Sequence, residues 1–270
     1  MNTHNENDRA AWLQGSSVNC SAPPEKVGAC WRLVLLGAPG VGKGTQAHLL
    51  SQRLRACHLS TGDVFRAAAS HADCVQTPAM TSALENMRRG ALVPDSTIWE
   101  IVRERSGCLR CQGGFLLDGF PRTLAQAEAL ILLMQDEKLS LNAVVNYELP
   151  MAEVTSRLSG RRICQECKSV FHITQQPSKA EGLCDHCGGE LAQREDDRPK
   201  SIITRLEAYR QSTEPLIQFY RYLGLLLPVN ASGSPEEVCA RTLIALGKLS
   251  ESPTVPDKRA SVSEGQFPRR

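Results

Sequence analysis

Apolar and polar positions alternate in blocks along the chain. Leu33-Val34-Leu35-Leu36, preceded by Arg32 and closed by Gly37, is an unbroken apolar run, the pattern of a short strand buried on both faces. Cys57–Leu59, Gly114–Asp118, Asn142–Leu149 and Leu223–Val229 read as further strands. Between them the apolar spacing is helical: up to about Arg55, then Val64–Ala72, Met80–Arg89, Thr97–Arg105, Thr123–Gln135, Ala152–Leu158, Ser201–Tyr222 and Pro235–Leu246. Ser60 or Thr61, Asp95 or Ser96, and Ser234 stand where helix caps belong, and Gly90 where a helix-ending glycine does. Pro215 is predicted to kink or split the helix around it. Strands alternating with helices predict an α/β fold with a doubly wound parallel sheet.

The turn after the first strand is Gly37-Ala38-Pro39-Gly40-Val41-Gly42-Lys43-Gly44-Thr45. Strand, Gly-rich turn and helix, with Gly37 and Gly42-Lys43 at Walker A spacing, predict a phosphate-binding loop. The glycines let backbone N–H groups converge on phosphate oxygens, and the helix start adds partial positive charge. Gly44 stands where Ser or Thr is usual, and Thr45 follows.

Composition narrows the field. With 270 residues, 41% hydrophobic and 22% charged, the chain reads as a soluble globular protein of one large domain or a core with insertions. A net charge of +2 argues against a nucleic-acid partner, and no apolar run reaches membrane-span length. Residues 1–28 are expected to be a flexible arm without a secretory signal, and 248–270 a disordered tail. Eleven cysteines without an export signal point to reduced thiols and metal ligation, hence to the cytoplasm.

Three further constellations carry chemistry. Asp118-Gly119-Phe120-Pro121-Arg122 closes a strand at the edge where open α/β sheets bind ligands; its carboxylate suits Mg²⁺ through water and its arginine a phosphate. Thr61-Gly62-Asp63 with Arg66 opens a helix suited to a second anion, and Arg157, Arg161, Arg162, Arg194 and Arg205 flank a segment, 161–195, poor in apolar residues. Within that segment Cys164-x-x-Cys167 and Cys184-x-x-Cys187 have the spacing of a closed, structural Cys₄ zinc site, with His186 a possible substitute ligand. Cys108-x-x-Cys111 has no matching pair.

These motifs, with Gln126, Gly160-Arg161-Arg162 and Arg194-Glu195-Asp196-Asp197, resemble those of adenylate kinases of the long-lid, zinc-binding type, from about Arg32 to Leu246. In that family Gly44 is the usual residue. Arg198-Pro199-Lys200, where an acidic stretch is common, and Ala72–Pro78 depart from it. The resemblance implies a kinase domain over 29–247, built as a P-loop parallel-sheet core with an AMP-binding helical segment (62–93) and a zinc-knuckle lid (161–195) inserted. It implies ATP at Gly40, Gly42, Lys43, Gly44, Thr45, Arg157 and Arg161. AMP is implied at Thr61, Arg66, Gly90, Val93, Gly119, Arg122, Gln126, Arg194 and Arg205. Lys43, Asp118, Arg122, Arg161, Arg194 and Arg205 would carry the catalysis, with Mg²⁺ bound alongside ATP and a structural Zn²⁺ in the lid. The expected protein is a monomer converting ATP and AMP to ADP; a kinase for another monophosphate, a GTP-using AMP kinase, or a non-catalytic nucleotide sensor with zinc knuckles are the alternatives.

Overall fold

The computed structural model describes residues 30–70, 78–104, 109 and 113–251. The 1–28 arm, the Cys108–Cys111 pair, residues 72–77 of the departing stretch and the tail beyond residue 251 lie outside the described residues.

Five strands form a parallel sheet in the order β2-β3-β1-β4-β8: β1 (Trp31–Gly37), β2 (Cys57–Ser60), β3 (Gly114–Asp118), β4 (Ala143–Glu148) and β8 (Leu226–Asn230). The middle of β1 is buried on both faces, as its unbroken apolar run requires. The register sets Leu35 of β1 beside Asp118 of β3 on one side and Val145 of β4 on the other. The loop after β1 therefore leaves the middle of the carboxyl edge, flanked by the ends of β3 and β4.

Helices cover both faces. One core layer packs Val34, Phe115, Leu117 and Val144 against Phe65, Leu130 and Tyr220. The other packs Leu33, Leu35, Val145 and Tyr147 against Leu50 and Val238. The helices are α1 (Lys43–Leu54), α2 (Thr61–Ser70), α3 (Pro78–Arg89), α4 (Asp95–Glu104), α5 (Leu124–Asp136), α6 (Met151–Gly160), α7 (Pro199–Ala208), α8 (Pro215–Tyr222) and α9 (Pro235–Glu251). Among the described residues, none is long and apolar enough to cross a membrane.

Several boundaries differ from the apolar pattern for local reasons. α2 begins at Thr61 because Ser60 is its cap: the Ser60 hydroxyl accepts the Asp63 N–H at 3.2 Å. Thr61 instead donates to the Gly119 carbonyl at 3.1 Å. The long helical stretch splits at Pro215, as predicted, through a π-helical turn, Tyr209–Thr213, in which the Glu214 N–H reaches back five residues to Tyr209. β8 starts at Leu226 rather than Leu223, because Leu223 still ends α8 and Gly224 turns at φ +69°. α9 opens with a reciprocal Ser234–Glu237 capping box and continues to Glu251, so residues 248–251, expected in a disordered tail, are helical.

Between α6 and α7 lies a second, antiparallel sheet, β6-β5-β7, made of β5 (Arg161–Cys164), β6 (Val170–His172) and β7 (Leu191–Ala192). Its apolar cluster is only Cys164, Phe171 and Cys184, with Leu191 packed against it.

Candidate active site

A cleft of about 910 Å³ opens at the carboxyl edge of the parallel sheet. Its floor is the loop from Gly37 to Thr45. Gly42 precedes α1 at φ +104° with no side-chain cap, leaving the first N–H groups of α1 to a ligand. Lys43 folds back so that Nζ donates to the carbonyls of Gly37 (2.7 Å) and Ala38 (2.9 Å). Burial lowers its pKa to about 7, with Arg122, Arg205 and Arg161 pushing the same way and Asp118 resisting. A Cβ at Gly44 would lie 3.4 Å from Asp118 Oδ2, an ordinary contact, so the loop approaches that carboxylate closely there. The same Oδ2 is 3.6 Å from His58 Nε2. Burial works against the Asp118 charge, but His58 and Lys43 outweigh it and hold the carboxyl below its ordinary value.

The second anion site faces the loop across Asp118. Arg66 is paired with Asp63, which outweighs the burial of its guanidinium. Arg122 donates through Nε to the Gly119 carbonyl at 2.8 Å, and burial, then Arg66, lowers its pKa while Asp118 opposes. Gly90 ends α3 at φ +80°, where a Cβ would come within 2.3 Å of the Ser201 carbonyl; only glycine fits. Arg66, Gly90, Gly119 and Arg122 line the cleft. Thr61 and Gln126 lie behind this wall, both almost fully buried. Val93 belongs to the hydrophobic core, and its neighbour Leu92 faces the cleft in its place.

Of the five arginines predicted to cluster, four line the cleft: Arg157, Arg161, Arg194 and Arg205. Arg162 turns instead to the carbonyls of Ser159 and Arg161. Arg157 donates to the Ala231 carbonyl at 3.2 Å, beside Gly233 and Pro235. Arg205 binds Asp196 (2.8 Å) and Asp197 (2.9 Å). Burial pulls Arg205 down to about 10 and Arg194 to about 9; Arg66 and Arg161 add to the effect at Arg194. Arg194 Nε is buried with no hydrogen-bond partner among the described residues. A cation so poorly compensated by the protein itself favours an incoming anion.

The sulfurs of Cys164, Cys167, Cys184 and Cys187 lie within 4.8 Å of one another. The pairs Cys164–Cys187 (3.4 Å) and Cys167–Cys184 (3.5 Å) approach the edge of a zinc–thiolate tetrahedron, about 3.8 Å for Zn–S bonds of about 2.3 Å. The two knuckles share one backbone pattern: Cys164 N–H donates to Ser169 and Cys184 N–H to Gly189, while the Cys164 and Cys184 carbonyls accept from Lys168 and Gly188. The donor set fits a structural Zn²⁺. His186 is no part of it; its ring lies 6.0 Å from that of Phe171.

Residues 35–225 match the adenylate kinase family model. The chain belongs to the adenylate kinase family. It is 47% identical to an adenylate kinase of Streptomyces griseus over 221 residues, 82% of this chain and 99% of the relative. An adenylate kinase of Caldicellulosiruptor bescii is 45% identical over 216 residues, 80% of this chain and 99% of its own. One of Streptomyces coelicolor is 47% identical over 216 residues, 80% and 98%.

Three contributors to this family member's site were given no such role by the sequence reading, although Asp197 stood in a quoted motif and Asp95 was a cap candidate. His58 supports Asp118, Asp197 holds two of the arginines, and Asp95 holds Gln126. A histidine in an otherwise apolar strand and an Asp pair between arginines were the available signals. Asp95 offered only its place at a helix start.

Proposed function

We propose that this chain catalyses Mg·ATP + AMP ⇌ 2 ADP by one direct, in-line phosphoryl transfer. The observation that carries the reading is a single cleft lined by two sets of phosphate-binding groups, the Lys43 loop and the Arg66–Arg122 pair, with Asp118 acting electrostatically on both Lys43 and Arg122. A hydrolase needs only the first set; a kinase with a phosphate acceptor needs both. Membership of the family and the names of its relatives point the same way.

In this reading Gly40, Gly42, Gly44 and Thr45 cradle the ATP phosphates and Lys43 leaves its loop carbonyls for their oxygens. Arg157 lies along the ATP base. Arg66 and Arg122 hold the AMP phosphate; Thr61, Gly90, Val93, Gly119 and Gln126 shape the rest of that site. Arg161, Arg194 and Arg205 surround the transferred group, whose charge they stabilise in the transition state. Asp118 would hold Mg²⁺ through water, and the ion would neutralise charge on the ATP phosphates. The segment 62–93 would close over AMP and 161–195 over ATP, excluding water that would otherwise take the phosphoryl group. Cys164, Cys167, Cys184 and Cys187 would hold Zn²⁺, which closes its coordination shell and supplies only rigidity.

Purified protein assayed for ADP formation with AMP, UMP, CMP and GMP as acceptors and ATP or GTP as donors tests this. The expected result is a strong preference for ATP with AMP; preference for another acceptor, or no acceptor dependence, contradicts it.

A further inference from the structure

Gln126 sits one turn into α5 and is only 2% exposed, yet its amide is half committed. Oε1 accepts the Arg122 N–H at 2.7 Å, and Nε2 donates to Asp95 Oδ1 at 2.6 Å. The two partners decide which end of the amide is which: a carboxylate only accepts and a backbone N–H only donates. A flipped amide would set oxygen against carboxylate and N–H against N–H, losing both bonds. Asp95 is fixed in turn, because its Oδ2 accepts the Thr123 hydroxyl at 2.9 Å and Thr123 caps α5 through the Gln126 N–H at 3.2 Å. Asp95, Thr123 and Gln126 thus form a closed ring joining the start of α4 to the start of α5.

We propose that Asp95 is a positioning residue that sets the base specificity of the monophosphate site by locking the Gln126 amide in one orientation. This rests on the reading that the base of the acceptor nucleotide reaches the Gln126 amide, which is buried and does not itself line the open cleft. An amide carries two N–H groups and two lone pairs, so one of each remains after Asp95 and Arg122 are served. That remaining pair complements a base edge with an amino donor beside an unprotonated ring nitrogen, as in a 6-aminopurine. It opposes an edge with an oxo acceptor beside a ring N–H, as in hypoxanthine, guanine or uracil. A pocket that hydrogen-bonds the correct edge rejects the wrong one because its own buried groups are left unpaired.

AMP and IMP differ at this edge and are the probes. Full-length protein should use AMP over IMP, in kcat/KM, by at least about tenfold. Asp95→Asn offers Gln126 either a carbonyl or an N–H, so the amide can flip at the loss of one bond instead of two. The ratio should then fall about tenfold, with KM for ATP unchanged. Asp95→Asn should not alter the ratio further in a Gln126→Ala background. Equal slowing with AMP and IMP, leaving the ratio intact, would mean that Asp95 only stabilises the fold and overturns the proposal. Wild-type protein that uses the two alike overturns it as well, whether or not the variant folds. Wild-type protein that makes no ADP from AMP overturns the functional reading itself, a result distinct from an unchanged ratio.

Discussion

Arg161 grips Asp197 with two parallel hydrogen bonds, Nε to Oδ2 at 2.7 Å and a terminal nitrogen to Oδ1 at 2.5 Å. Asp197 is fully buried and also accepts from Arg205, so one carboxylate aligns two arginines that face the cleft. Asp197→Ala would strip Arg161 of its carboxylate partner and leave Arg205 to Asp196 alone, in a site built around their charge. It should lower unfolding free energy by about 3 kcal/mol, measured by urea denaturation. A loss under about 1 kcal/mol would show that the cleft arginines relax into solvent instead.

Lys43 ties the site to pH. Its folded pKa, about 7, lies below the ordinary 10.5, so between those values the folded protein holds fewer protons than the unfolded chain. This group's contribution to stability therefore rises with pH from about 7 to 10.5. Phosphate oxygens favour the charged amine, so ATP binding at pH 8 should take up close to one proton, visible by calorimetry in buffers of different ionisation enthalpy. Lys43→Met should abolish that uptake and lower kcat by about a hundredfold or more, with the fold intact. Uptake that persists in Lys43→Met would assign the proton elsewhere.

Arg122→Ala should fall on the acceptor half of the cleft. A charged hydrogen-bond partner is worth about 2 kcal/mol, so kcat/KM for AMP should drop by that amount or more while ATP binding stays within a factor of about two. Steady-state kinetics with each nucleotide varied in turn separates the two. Equal weakening of both would contradict the division of the cleft into two halves.

The β5–β7 module should depend on metal. Its cluster of Cys164, Phe171, Cys184 and Leu191 is too small to hold the segment, whereas structural zinc supplies roughly 10 kcal/mol in small modules. Metal analysis should find about one zinc per chain. Chelation or Cys184→Ser should melt this module first, seen as hydrogen exchange rising across residues 161–195 while the parallel sheet stays protected. Protein that holds no metal with the module still protected would contradict the assignment.

How much of this was legible in the sequence depended on whether the signal was local. The β1 run, the loop glycines, the Pro215 break and the paired knuckles each announce themselves within a few residues, and each stands where the pattern put it. Ser60, one of the two cap candidates, does cap α2, so the helix begins ahead of Val64 where the apolar spacing starts; a boundary failed at β8, which Gly224 delays. Which residue faces the cleft was beyond periodicity, since Leu92 and Val93 are adjacent and both apolar, yet one lines the cleft and the other joins the core. The Asp95–Gln126 bond joins residues 31 apart and has no sequence signature at all.

The central claim is direct transfer between two nucleotides in one cleft. Reacting ATP labelled at its γ-phosphorus with AMP and following the label tests it most directly. The expected result is label appearing in the β-position of ADP, with two ADP formed per AMP consumed, no label on the protein and none as inorganic phosphate. Label accumulating as inorganic phosphate at a rate independent of AMP, or trapped covalently on the protein, would contradict it.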